Sequence, residues 1–145
     1  MENILNEAEI PEISETGEEK GLSDRDLQGK YISLAYSRFV RNPPVLVVNH
    51  ETNWLIELSS RVIKEWRAKS RTRERIISIQ LLDTIIEKAK FLKTVKDAKN
   101  TPGIADVSYF ESLCKINGRL FRINITVKRI ENRRFAYYYS ALGLK

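Results

Sequence analysis

Cysteine, histidine and methionine are nearly missing from this chain, with one of each in 145 residues. A lone Cys114 leaves no internal disulfide framework, so the fold holds without a covalent staple. A chain of this length buries about 68–70% of its unfolded surface, which suffices for one domain. One His (His50) and one Cys cannot complete a His/Cys zinc site. A carboxylate magnesium site needs clustered acids, and those after residue 26 are scattered. Glycine is also scarce: Gly103, Gly118 and Gly143 stand alone, so there is no Gly-rich phosphate loop. No apolar run could span a bilayer, and the acidic N-terminus is unlike a signal peptide. The expectation is a soluble, reducing, cytoplasmic setting, with no metal, no cofactor and no membrane partner.

What the chain has is charge, unevenly placed. Residues 1–26 hold nine acids against Lys20 and Arg25, a net of −7. The remaining 119 residues hold 10 acids and 23 bases, a net of +13, which together give the overall +6. A body this basic attracts polyanions, RNA among them. Residues 1–22 read as an acidic flexible tail, mobile or ordered only by contact with the basic body. Residues 23–145 read as a single basic domain, with the tail a shield that competes with nucleic acid.

Ser23 and Asp24 look like a helix start. Leu27, Tyr31, Leu34, Ala35 and Phe39 follow at helical spacing, which predicts an amphipathic helix over roughly 23–40, ended by Asn42-Pro43-Pro44. Val45–Asn49 and Trp54–Leu58 read as short strands around a polar turn, His50 to Asn53. Ser59 or Ser60 caps a helix carrying Val62, Ile63 and Trp66. A longer helix then carries Ile76, Ile77, Leu81, Leu82, Ile85, Ile86 and Ala89 on one face. From Phe91 to Asp106 the spacing suggests only a Lys-rich connector.

The segment CKINGRLFRINITVKR, residues 114–129, alternates apolar and polar residues around Asn117-Gly118. Asn-Gly is a strong two-residue hairpin signal, because both turn positions need positive φ. That turn pairs Ile116 with Arg119. Cys114 then lies opposite Phe121, Ser112 opposite Ile123, and Phe110 opposite Ile125, on a mostly apolar face. The other face pairs Leu113 with Arg122, Glu111 with Asn124, and Tyr109 with Thr126. A third strand is expected over about 134–140, with the facing of Tyr137, Tyr138 and Tyr139 left open. The class is α+β: an N-terminal helix, two short strands, two helices and a C-terminal three-stranded antiparallel meander.

Metal-free RNA cleavage suits this composition. It needs Arg/Lys on the phosphate and His, Glu, Tyr or Lys for proton transfer. Glu111, Tyr109 and His50 are the proton-transfer candidates. Arg122, Asn124, Thr126 and Lys128 are the nucleic-acid-binding candidates, with Lys64, Arg71, Arg73 and Arg75 widening a basic groove. Glu111 with Arg122 reads more readily as an ordinary cross-strand ion pair, Tyr109 as a packing residue and His50 as an inert turn residue. Cys114 falls on the apolar face, as a buried structural thiol would.

The runs VVNHETNWLIELSSRVIKEW, LLDTIIEKAKF and CKINGRLFRINITVK…FAYYYSAL, in that order, resemble the third family of large polyvalent protein-associated domains of phages and conjugative elements. Matching positions include Thr52, Ile56, Leu58, Ser59, Ile63, Lys64, Ala89, Gly118, Val127, Lys128 and Tyr138. The resemblance implies a fold like the barnase–EndoU–RelE class of small RNases, hence a phage or mobile-element protein in the cytoplasm of a bacterial host. It also implies RNA binding, with metal-free cleavage in a RelE-like version that relies on Lys, Arg and Tyr. Related nucleases tend to carry a His in the helix after the second strand, where Lys64-Glu65 stands here. The alternative is a non-catalytic module that occupies a host defence protein or ribonucleoprotein.

Overall fold

The structure is a computed structural model that describes residues 10–41, 43, 45–58, 60–69, 72–96, 102–130 and 136–144, with the backbone alone described for 61, 65, 68, 69 and 136–144. The described elements run β1 (Glu12–Ile13), α1 (Gly17–Lys20), α2 (Asp24–Phe39), β2 (Val45–Val48), β3 (Leu55–Leu58), α3 (Ser60–Lys69), α4 (Arg73–Ser78), α5 (Leu82–Lys88), β4 (Lys90–Val95), β5 (Ile104–Ile116), β6 (Arg119–Ile130) and β7 (Ala136–Leu144). The class is α+β, with the expected helix, hairpin and C-terminal meander.

Asn117 and Gly118 take positive φ values of 52° and 79°. The register follows from that turn: Ile116 pairs with Arg119, Cys114 with Phe121, and Phe110 with Ile125. A slip of one residue would turn every side chain to the opposite face, so turn and alternation enforce each other. Across β5 and β6, Phe110, Cys114, Ile116, Ile123, Ile125 and Val127 are buried. Leu27, Tyr31, Ala35 and Phe39 of α2 join the same core, as do Val62, Ile63 and Trp66 of α3. Ser23 starts α2 by accepting a hydrogen bond from the Asp26 amide at 3.1 Å.

The strand order is β1-β5-β6-β7-β3-β2, with β4 also on β5. The β1–β5 and β3–β7 pairs are parallel, and the rest are antiparallel. Three strands separate β3 from β4, yet Trp54 meets Phe91 and Phe110 edge-on, with centroids 5.4 and 5.8 Å away. The sheet therefore curls until the β2–β3 turn reaches β4.

Asn49 holds that junction. Its buried Nδ2 donates to the carbonyls of Ile86 (2.8 Å) and Ala89 (2.9 Å), at and just past the end of α5. Its Oδ1 accepts from the Glu51 and Thr52 amides and the Thr52 hydroxyl, at 3.0 to 3.2 Å. One amide thus satisfies helix-end carbonyls and shapes the turn. Glu51 in turn accepts from the Phe91 amide of β4 at 3.2 Å.

Two expectations are corrected. The single long helix over 76–89 is broken into α4, a 3-10 turn (Ile79–Leu81) and α5. At the break the Ser78 hydroxyl bonds back to the Arg75 carbonyl at 2.7 Å, a contact that bends helices. Arg38 of α2 also clamps the turn, donating to the Gln80 carbonyl and to Asp83. The connector after residue 90 begins instead as strand β4. A bulge at Leu92 breaks its alternation, which hid the strand signal. In the acidic stretch, the described residues 10–22 lie against the body: Ile13 pairs with Ile116, and α1 carries a Thr16/Glu19 capping box. Residues 1–9 and the turn at 131–135 lie outside the described residues.

Replacing Asn49 with Ala leaves two buried carbonyls and two turn amides without their partner. We expect a loss of roughly 2–4 kcal/mol in chemical denaturation, with the circular dichroism of the folded state unchanged. A loss below 0.5 kcal/mol, the range of an ordinary surface substitution, would contradict this role for Asn49.

Candidate nucleic-acid interface

The helices cover one face of the sheet, and the strand periodicity brings the polar residues to the other. The register lines up rows across that uncovered face. One row is Lys90, Glu111, Asn124 and Gly143. The next is Lys93, Tyr109, Thr126 and Ala141. A third runs through six strands: Val95, Val107, Lys128, Tyr138, Glu57 and Leu46. Tyr138 thus falls in the row of Lys128, while Tyr137 and Tyr139 fall in the rows of Arg129 and Val127.

Six of the residues expected from sequence come together here: Tyr109, Glu111, Arg122, Asn124, Thr126 and Lys128. Arg122 is exposed and donates to Glu111 at 3.1 Å. This is the cross-strand ion pair, and at such exposure it contributes little to stability. The Lys93 ammonium sits 5.8 Å from the Tyr109 ring centroid. Lys90 and Lys93 were not anticipated, because the bulge concealed β4; the Lys-rich composition of 88–96 was the available signal. An open groove of about 400 Å³ lies beside Tyr109, bounded by Lys93, Asn124, Leu92 and Val95.

The remaining candidates lie elsewhere. Lys64 is exposed on α3, and Arg75 is half-buried on α4, both in the helix layer. Arg71 lies outside the described residues. Arg73 is enclosed by the acidic segment: it bonds Glu15, Asp24 (2.8 Å), and the carbonyls of Leu22 (2.9 Å) and Glu19 (2.8 Å). His50 is exposed on the β2–β3 turn, with its amide on the Glu87 carbonyl (2.9 Å) and Nε2 3.6 Å from the Glu87 carboxylate. Cys114 is fully buried, and burial pushes its thiol up to about 12, so it remains protonated and inert. Among the described residues, no three His, Cys, Asp or Glu side chains are grouped to hold a metal ion. No described helix is long and apolar enough to cross a membrane.

Among the described acids, Glu15, Glu19 and Asp24 bind cations of the helix side. The Glu15 carboxylate is held below the usual range by its bonds from Arg73 and, despite some burial, from Asn117. Burial pushes Glu19 up, but bonds from Lys30 (2.7 Å), the Thr16 amide (2.8 Å) and Tyr31 (3.1 Å) outweigh it and leave it lowered.

Fold and face together define an α+β module with a helix-covered core and an exposed, cation-bearing sheet surface. The chain belongs to the family of large polyvalent protein-associated domain 3, whose model matches residues 23–137. It is thereby one of the domains associated with phages and mobile elements. No curated protein matches the chain, and no solved structure does.

Lowered glutamates stabilise the docked segment above the ordinary glutamate pKa, about 4.3, and that stability is lost as pH falls through their lowered values. Amide exchange in residues 12–20 is therefore expected to be flat from pH 5 to 8, after correction for intrinsic rates. Below about pH 4 it should rise ahead of exchange in residues 104–130. Simultaneous loss of protection in both segments would contradict this.

Proposed function

We propose that this domain binds RNA along its uncovered sheet face. The observation that carries the reading is the alignment on that face of Arg122, Lys128 and Lys93 with Tyr109, Asn124 and Thr126. Successive same-face positions on a strand lie about 6.5–7 Å apart, so Arg122 and Lys128, three such steps apart, are separated by about 20 Å. That spacing suits contacts to separate phosphates along a strand, and it does not suit a clamp on one scissile phosphate. The composition supports binding as well: a body with a net charge of +13 draws in a polyanion, and Glu15 and Asp24 are engaged with Arg73 on the helix side.

Tyr109 and Glu111 stand two residues apart on β5, with Lys93 over the tyrosine ring. These are group types that a metal-free ribonuclease uses, and this placement is the ground for a second reading, cleavage. Against it, Glu111 is already engaged by Arg122, and His50 sits on a turn bound to the end of α5. Binding without turnover is the reading we adopt, in a phage or mobile-element protein acting on RNA of its host cell.

The test is the affinity for a single-stranded RNA oligonucleotide as a function of salt. Reversing both charges, Arg122→Glu with Lys128→Glu, should weaken binding at least tenfold near 50 mM salt. It should also shallow the log–log salt slope by about 1.4, two phosphate contacts at about 0.7 each. The fold should survive, because Arg122 is exposed and Lys128 only half-buried. RNA incubated with the wild-type protein and EDTA should stay intact. Wild-type affinity and slope in the double variant would overturn the proposal, and cleavage in EDTA would favour the second reading.

A further inference from the structure

Resting on the RNA reading above, we propose that the groove beside Tyr109 is a pocket for one unpaired nucleobase of single-stranded RNA. Three observations meet there. The groove, about 400 Å³, is large enough for a base with part of its sugar, and Leu92 and Val95 give it apolar sides. The half-buried Tyr109 ring lies on the uncovered face, with the exposed Lys93 ammonium 5.8 Å from its centroid. A base that stacks on the ring displaces Lys93 sideways, where the ammonium meets the base's own phosphate. Stacking on an aromatic face is how sheet surfaces hold single-stranded nucleic acid.

The third observation is Asn124. Its side chain is half-buried at the groove and makes no hydrogen bond among the described residues. An amide presents a donor and an acceptor side by side, the complement of a base edge that offers both. A duplex is excluded, since its bases are stacked and paired and the ring can reach only an unpaired one.

The experiment compares fluorescence anisotropy of a labelled single-stranded eight-nucleotide RNA with that of the same sequence as a duplex. Wild type and three variants are measured: Tyr109→Phe, Tyr109→Leu and Asn124→Ala. Tyr109→Phe keeps the ring and should bind as wild type. Tyr109→Leu should weaken single-strand binding roughly 5- to 100-fold, the range for loss of one stacked base, without changing the salt slope. Asn124→Ala should change the ratio of affinities among poly(A), poly(C) and poly(U) several-fold, again at constant slope. Wild-type affinity in Tyr109→Leu, equal loss in Tyr109→Phe, or duplex binding as tight as single-strand binding would overturn the pocket. If the double charge reversal at Arg122 and Lys128 weakens RNA while Tyr109→Leu and Asn124→Ala do nothing, only the pocket falls. If the wild-type protein binds no RNA, both readings fall.

Discussion

Asn117 is where the architecture is decided. With Gly118 it takes the positive φ that a two-residue hairpin needs, and so it sets which face each residue of β5 and β6 presents. Its side chain then does a second job. Oδ1 accepts the Glu15 amide at 2.9 Å, and Nδ2 donates to the Glu15 carboxylate at 2.8 Å. Through Glu15 the turn is tied to Arg73, 44 positions back along the chain. The same residue that separates apolar from polar face also anchors the acidic segment beside the helix layer. Had the register differed by one residue, Arg122 and Lys128 would lie in the core and Ile123 and Ile125 in water, a state no packing could tolerate.

The second organising contact is at the far end of the sheet. Asn49 joins the end of α5 to the β2–β3 turn, and Glu51 carries that turn onto the outer edge of β4. Trp54, Phe91 and Phe110 pack edge to face beneath it. An edge strand is a hazard when its amides are bare, and here the neighbouring turn supplies a carboxylate to one of them. The consequence for function is geometric. The helices and the curled sheet close around one core, and Arg122, Asn124, Thr126 and Lys128 are left together on the opposite surface.

Much of this was legible in the residues. Turn chemistry and alternation agreed at 114–129, and every pair derived from them is present. Ser23, the Leu27–Phe39 stripe and the prolines marked α2. What escaped has physical reasons. The Leu92 bulge removed the period-2 signal of β4, and with it Lys90 and Lys93. A 3-10 turn and an α-helix differ too little in period for Ile76 to Ala89 to reveal the break at Ser78. A second bulge, between Thr126 and Val127, offsets β7, so counting back from the turn could not place the tyrosines. The docking of Glu15 depends on Arg73 and Asn117, 58 and 102 positions away, and no local pattern announces a contact at that range. Of the candidate site, the β5–β6 half was readable. The charge of Arg73 is visible in sequence, while its partners Glu15 and Asp24 are not.

The sheet face proposed to bind RNA and the helix side are both basic. The helix side has its own polar groove, between α2 and α3, lined by Arg25, Gln28, Lys30 and Arg67 among others. It therefore supplies a fair competitor for any anion. The most direct measurement is a nitrogen-15 NMR titration of the protein with a single-stranded RNA oligonucleotide. RNA binding on the sheet face predicts shift changes concentrated in residues 90–93, 107–113 and 122–128, with the Asn124 side-chain amide among the largest. Changes centred instead on Arg25 to Ile32 and Arg67, with the β5–β6 face silent, would contradict it.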